Sequence, residues 1–275
     1  MAHTALVLPG GGSRTFYLSG VLIGLGLKPE QVMQVYALST SAPIAAYFVT
    51  GQIEETGPAW IDQLISGGFL NWWRLLRFKK PADIYTFVHR GCASLAVDAI
   101  PRGKLFVNTL RLRDGATVCH CVTSTNARDV LTATCSFPIV STPYELFGEL
   151  HMDGGTEETF PVLTAHANGA SKILAIANRP PSYIMKPYGA LSRFLSFPRW
   201  PEARAALGRR AKRTEETRFF LLDPPPKTHI LLIEPEEELP AQRLTIDKDL
   251  ILRTFDLGIE RGERYKHRLQ EFLEC

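Results

Sequence analysis

The apolar positions of this chain come in short runs broken by glycine and proline. Residues 5–8 form one such run, ended by Pro9 and three glycines, which predicts a buried strand followed by a tight loop. Phe16, Leu18, Val21, Leu22 and Leu25 then recur at helical spacing. Residues 34–38 predict a second strand and residues 42–50 a second helix. The first fifty residues thus read strand, glycine loop, helix, strand, sharp turn, helix. This is the alternation of a mostly parallel sheet covered by helices. Further strands are predicted at 117–124, 148–152, 172–177 and 229–233, and further helices at 59–65, 160–168 and 249–272. No internal repeat is visible.

Composition narrows the class. A chain of 275 residues suits one large domain or two small ones, and 45% hydrophobic residues supply a sizeable core. A formal net charge of +3 is too small to argue for nucleic acid as a partner. The start of the chain has no basic region ahead of an apolar run, so it does not read as a secretory signal. The longest apolar stretch, 17–27, is too short to span a bilayer. A soluble, cytoplasmic protein is the expectation. Five cysteines, an odd number, suit reduced thiols better than a disulfide framework. Cys119-His120-Cys121 lacks two further ligands at matching spacing and reads as a strand, so no metal or other cofactor is predicted.

Charge is unevenly spread. Residues 179–218 carry ten basic residues against three acidic ones, with Tyr183, Tyr188, Phe194, Phe197 and Trp200 among them. This segment is either a solvated helix pair with snorkelling arginines or a cationic, aromatic surface for anionic lipid headgroups. Residues 71–80, with Trp72 and Trp73 among basic residues, offer a second patch of that kind, or two buried tryptophans.

Three stretches carry chemistry. Gly10-Gly11-Gly12 lies between a strand and a helix, where several backbone N–H groups can aim at a phosphate or at the oxyanion of an acyl-transfer intermediate. The dinucleotide fingerprint fails, because Thr15 stands where its third glycine belongs. Ser39-Thr40-Ser41-Ala42-Pro43 places a serine on a turn between strand and helix, as a nucleophile elbow does. Met152-Asp153-Gly154-Gly155 ends a strand in a glycine turn, and Asp153 could serve as the base a serine needs, without histidine.

In this order, Gly10-Gly11-Gly12-Ser13-Arg14, Ser41 in its turn and Asp153-Gly154-Gly155 resemble the patatin-like phospholipases. Ala133-Thr134-Cys135-Ser136-Phe137-Pro138 is similar to the family's small-residue segment ahead of D-G-G, and Asn178-Arg179-Pro180 resembles its bacterial branch, as does the region 233–260. The resemblance implies a three-layer α/β/α fold with a mostly parallel central sheet. Residues 1–226 would form the acyl-hydrolase domain, with 179–218 as a basic and aromatic insert. Residues 227–275 would be an appended strand and helix. It also implies a Ser-Asp dyad that cleaves lipid carboxylic esters. Ser41 would be the nucleophile and Asp153 the base. Backbone N–H groups of Gly10, Gly11 and Gly12 would form the oxyanion hole, with Arg14, Gly154 and Gly155 in support. A lipid ester is then the substrate, with peripheral contact to an anionic membrane surface.

Two departures bear on that reading. Thr15 replaces a glycine of the loop, and Ser39 and Pro43 replace the two glycines that flank the family's serine. A Cβ at either flank risks collision in a sharp turn, which motivates a second reading: a slow or inactive member that binds lipid or a protein partner. A third reading is a triad of Ser41, Asp223 and either His229 or His267. His151, two residues before Asp153, is a candidate for tuning that aspartate.

Overall fold

The computed structural model describes residues 4–66 and 83–274. The tryptophan-bearing patch at 71–80 lies outside them. The strands are β1 (Thr4–Val7), β2 (Gln34–Leu38), β3 (Leu105–Arg111), β4 (Ala116–Cys121), β5 (Tyr144–Leu146), β6 (Glu149–Asp153), β7 (Lys172–Ile176) and β8 (His229–Ile233). The helices are α1 (Phe16–Leu25), α2 (Ser41–Val49), α3 (Pro58–Ser66), α4 (Ile84–Gly91), α5 (Ala127–Cys135), α6 (Val162–Ala167), α7 (Ala190–Ser196), α8 (Pro201–Leu222) and α9 (Lys248–Glu274).

All eight strands belong to one sheet, ordered β5-β6-β3-β2-β1-β7-β8, with β4 also paired to β3. The run from β3 to β8 is parallel, and β4, β5 and β6 join antiparallel. Strands buried on both faces read as continuous apolar runs, and β1 and β7 do so. Leu6, Leu8, Leu174 and Ile176 pack into the core shared with α1, α2 and α9, whereas Ala5, Val7, Ile173 and Ala175 pack into the core shared with α6 and α8. This is the expected three-layer α/β/α arrangement. The central strand β3 and helix α5 were not among the predicted elements. Leu105, Val107 and Leu110 are apolar, but Asn108 and Thr109 interrupt the run, and their side chains bond Glu158 and His120.

The strand and helix expected at 227–275 are β8 and α9. β8 extends the sheet beside β7. α9 lies along α1 at glycine-to-glycine distance. A Cβ on Gly20 would meet Phe255 O, one on Gly24 would meet Ile259 O, and ones on Gly258 and Gly262 would meet Tyr17 O and Val21 O. Backbone atoms cannot swing aside as side chains do, so Gly258→Ala is expected to destabilise the protein by about 1–3 kcal/mol, the usual cost of overpacking. Thermal unfolding checks this: at about 2–4 °C per kcal/mol for a chain of this size, Tm drops visibly.

Candidate active site

β3 acts as a ruler that brings two distant residues together. β4 runs along one edge of β3 over residues 106–111. The other edge is shared: β2 pairs with residues 105–108 and β6 with residues 109–111. β2 runs parallel to β3 and β6 antiparallel, so their last residues meet head-on. Leu38 ends β2 opposite Asn108, and Asp153 ends β6 opposite Thr109. The residue after Leu38 therefore faces Asp153.

That residue is Ser39. Its Oγ donates to Asp153 Oδ2 at 2.7 Å. Its φ is +56°, in the left-handed region that a residue with a Cβ enters at a cost of roughly 1–2 kcal/mol. The surroundings hold it there. Ser39 N donates to Thr134 Oγ1 at 2.8 Å, and Thr134 Oγ1 in turn donates to Asn108 O at 2.8 Å. Ala42 N donates to Ser39 O at 3.0 Å, closing the turn into α2. A strained serine between strand and helix is the geometry of a nucleophile elbow.

Ser41, the serine expected at that place, is elsewhere. It is the first residue of α2 and has no exposed surface. Its Oγ donates to Leu38 O at 2.8 Å, and its remaining neighbours are Leu8 O and Leu38 N, both at 3.3 Å. A hydroxyl tied to backbone in this way has no path to Asp153. The serine at the apex of the turn is Ser39, two residues before the one expected. With Ser39 at the apex, the flanking positions are Ala37 and Ser41, both small. Pro43 is not in the turn at all but in the first turn of α2, where a missing N–H is harmless.

The glycine loop closes over the elbow. A Cβ on Gly10 would press on Leu38 and on Ser39 Cβ, and one on Gly12 would strike Arg243 O. Gly10 N donates to Thr159 O at 3.1 Å, so this N–H, expected in the oxyanion hole, is already bonded. The N–H groups of Gly11 and Gly12 have no acceptor among the described residues. The loop is strapped from outside: Ser13 N donates to Arg243 O at 3.1 Å and Ser13 Oγ to Thr245 O at 2.6 Å. Asn178 Nδ2, just past β7, donates to Gly10 O at 3.3 Å. Thr15, where the resemblance expects glycine, donates from Oγ1 to Gly12 O at 2.8 Å and so braces the loop. Arg14, expected to steady the loop, is buried and makes no side-chain hydrogen bond or ion pair among the described residues.

Asp153 is buried, and burial raises its pKa above the ordinary 3.8. The hydrogen bond from Ser39, the N–H of Gly155 on Oδ1 at 2.7 Å, and the charges of Arg243 and Arg210 oppose that rise. Gly154 is the other supporting glycine: a Cβ there would press on Asn108 O.

Ser39, Asp153 and the glycine loop line one cavity of about 780 Å³. Phe16, Trp60, Leu64, Phe87 and Val88 give it an apolar wall, and Arg14, Arg210 and Arg243 a cationic one. Its lining also includes Ile184, Phe219, Leu222 and Ile246, which are 83%, 68%, 64% and 54% exposed. Large apolar side chains thus stand in solvent around the opening.

The other candidates fall outside this cavity. His229 begins β8, at the end of the parallel strands opposite the elbow. His267 is exposed on α9 and faces Glu271 at 3.4 Å. His151 shares Thr109 Oγ1 with His120, at 2.8 Å each, and does not bond Asp153. Cys119 and Cys121 point to the face of β4 opposite His120. Much of the basic segment is paired within the chain: Arg209 to Glu157 at 2.7 Å, Arg218 to Glu234 at 2.7 Å and Arg179 to Glu238 at 3.0 Å. No helix among the described residues is long and apolar enough to cross a membrane.

A family model described as patatin-like phospholipase matches residues 6–166. A second, a domain of unknown function (DUF6363), matches residues 200–274. No curated protein matches the chain. Among solved structures, that of VipD from Legionella pneumophila superposes with a TM-score of 0.47 at 11% identity, over 100% of this chain and 67% of that one.

Proposed function

The chain belongs to the patatin-like phospholipase family, a family of lipid acyl hydrolases, and from that premise we propose that it cleaves lipid carboxylic esters through a Ser39–Asp153 dyad. The observation that carries this reading is the 2.7 Å hydrogen bond from a strained, cavity-lining serine to a buried carboxylate.

In the proposed reaction Ser39 Oγ attacks the ester carbonyl and its proton passes to Asp153 Oδ2. The tetrahedral oxyanion forms beside the N–H groups of Gly11 and Gly12, which have no other acceptor among the described residues, and near the N-terminus of α2. Collapse expels the alcohol, which takes the proton from Asp153 and leaves an acyl-Ser39. Water then attacks the acyl group, losing a proton to Asp153, and the bond to Ser39 Oγ breaks as Oγ takes that proton back, so that the acid departs and the dyad is restored. The apolar wall suits an acyl chain. The exposed apolar residues around the opening suit contact with a lipid surface, where Ile184 and Phe219 would be covered.

Hydrolysis of p-nitrophenyl and glyceryl acyl esters by the full chain tests this. The pH dependence tests the base. Asp153 accepts a proton only when ionised, and its pKa is raised, so activity is expected to fall on the acid side at a pH above 3.8. Arg243 helps hold that pKa down, so Arg243→Gln should move the acid limb to higher pH. A limb unmoved by Arg243→Gln would argue against Asp153 as the titrating group.

The reading of a slow or inactive member drew on the two missing glycines. With Ser39 at the apex, small residues already stand at both flanking positions, and no other observation favours that reading.

A further inference from the structure

Three arginines in the cavity wall have no carboxylate partner among the described residues. Arg14 and Arg210 are buried, at 4% and 5% exposure, and the Nε of each has no hydrogen-bond acceptor. Arg243 is half-buried, with its guanidinium 4.9 Å from the centre of the Phe137 ring. Among the described residues none of the three forms an ion pair. The other arginines of the lining are matched, Arg179 by Glu238 and Arg218 by Glu234. Arg210 Nη1 and Arg243 Nη1 both donate to one acceptor, Tyr188 OH, at 3.2 and 3.5 Å, which brings the two cations side by side. All three line the cavity that holds Ser39 and Asp153.

Burying a charge without a counter-charge is costly, and a cluster of like charges compounds it. Asp153, the carboxylate acting on Arg210, is engaged by Ser39 and Gly155, and Glu238, which acts on Arg14, is paired with Arg179. The wall is therefore short of negative charge at the place where a substrate would lie. Guanidinium groups present planar N–H forks that match phosphate oxygens. Two of the three come from residues 200–274, the region matched by the domain of unknown function. That region also straps the glycine loop through Arg243 O and Thr245 O.

We propose that Arg14, Arg210 and Arg243 form a subsite for the phosphate of an anionic lipid headgroup. The protein then selects acyl esters whose headgroup carries net negative charge over zwitterionic and uncharged ones. The acyl chain takes the apolar wall and the ester carbonyl lies at Ser39 between the two. A choline or ethanolamine headgroup brings its own cation among the arginines and loses this advantage. The proposal rests on the reading of Ser39 as nucleophile, and its test separates the two.

Binding is measured with the full chain carrying Ser39→Ala, which requires no turnover. The probes are lysophosphatidate, lysophosphatidylcholine and monoacylglycerol of one chain length, plus inorganic phosphate as competitor. Charge-assisted hydrogen bonds of this kind are worth about tenfold or more in affinity each. Lysophosphatidate is expected to bind at least about tenfold more tightly than the other two lipids, and Arg243→Gln or Arg210→Gln should erase that preference. Arg243 is half-buried, so its variant tests the point even where the Arg210 variant fails to fold. Equal affinity for the three lipids, or a preference that survives Arg243→Gln, overturns the proposal. So does inorganic phosphate that competes at the concentration of lysophosphatidate, since the site would then be one for free anions. In wild type, the ratio of kcat/KM for lysophosphatidate over monoacylglycerol should fall about tenfold or more in Arg243→Gln. If instead wild type and Ser39→Ala hydrolyse all esters equally, the catalytic reading fails while the binding result stands.

Discussion

Replacing Ser39 by alanine is expected to abolish ester hydrolysis, whereas replacing Ser41 by alanine should leave most of it. This is the larger of two effects expected from the site. Ser39→Ala removes the only hydroxyl bonded to Asp153 Oδ2 among the described residues, and loss of a catalytic nucleophile in a serine hydrolase costs on the order of 10⁶-fold in kcat. It leaves the packing and the backbone strain of the turn in place, because alanine keeps the Cβ. Ser41→Ala removes one buried hydroxyl that bonds Leu38 O at 2.8 Å. That carbonyl keeps its second lone pair, so the expected cost is about 1 kcal/mol of stability and a modest loss of rate through a softer turn. Initial rates on a p-nitrophenyl acyl ester, with circular dichroism to confirm folding, give the comparison. Equal losses in the two variants would mean that the turn, and not one hydroxyl, matters.

The second large effect comes from Asp153→Asn, which should lower kcat by about a hundredfold to ten-thousandfold through loss of the general base. Its distinguishing mark is stability. In the folded chain the carboxyl has a raised pKa, whereas in the unfolded chain it titrates near 3.8. Between those two values the folded state binds more protons, so stability falls as pH rises through that window, and above it the buried charge weakens the fold. Asparagine carries no charge and keeps an oxygen to accept from Gly155 N. At neutral pH the variant should therefore unfold at the same temperature as wild type or higher, while being inactive. An inactive variant with a much lower Tm would show that Asp153 holds the fold together and would leave its catalytic role unsupported.

Much of this site could be read along the chain, because its parts are local. The run 5–8 followed by three glycines, and the run 34–38 followed by small polar residues, can only be strands that stop abruptly. Asp153-Gly154-Gly155 announces itself, since a carboxylate before two glycines is a turn with a charge to place. The serine at the apex of the turn was harder. Ser39 and Ser41 lie two residues apart, and without flanking glycines the motif has no fixed register. The signal that decides between them is the end of the apolar run: the apex follows the strand at once, and the strand ends at Leu38. Other parts were out of reach. Thr134 clamps Ser39 from 95 residues away, and Arg243 meets the glycine loop from more than 220 residues away. Such contacts are set by the sheet order, above all by β3, whose polar Asn108 and Thr109 hide it from a reading of apolar pattern. The basic segment showed its charge but not its division. Arg209 and Arg218 find carboxylates on the surface, whereas Arg210 turns inward.

The central claim is that Ser39 is an activated nucleophile, and the most direct measurement asks which serine a fluorophosphonate modifies. The folded wild-type protein is treated with the probe, digested, and the modified peptide sequenced by mass spectrometry. The account predicts a phosphonate on Ser39, formed at a rate that falls on the acid side as Asp153 takes up its proton, and no labelling of Ser39→Ala. A phosphonate on Ser41, or labelling that persists in Ser39→Ala, would contradict it.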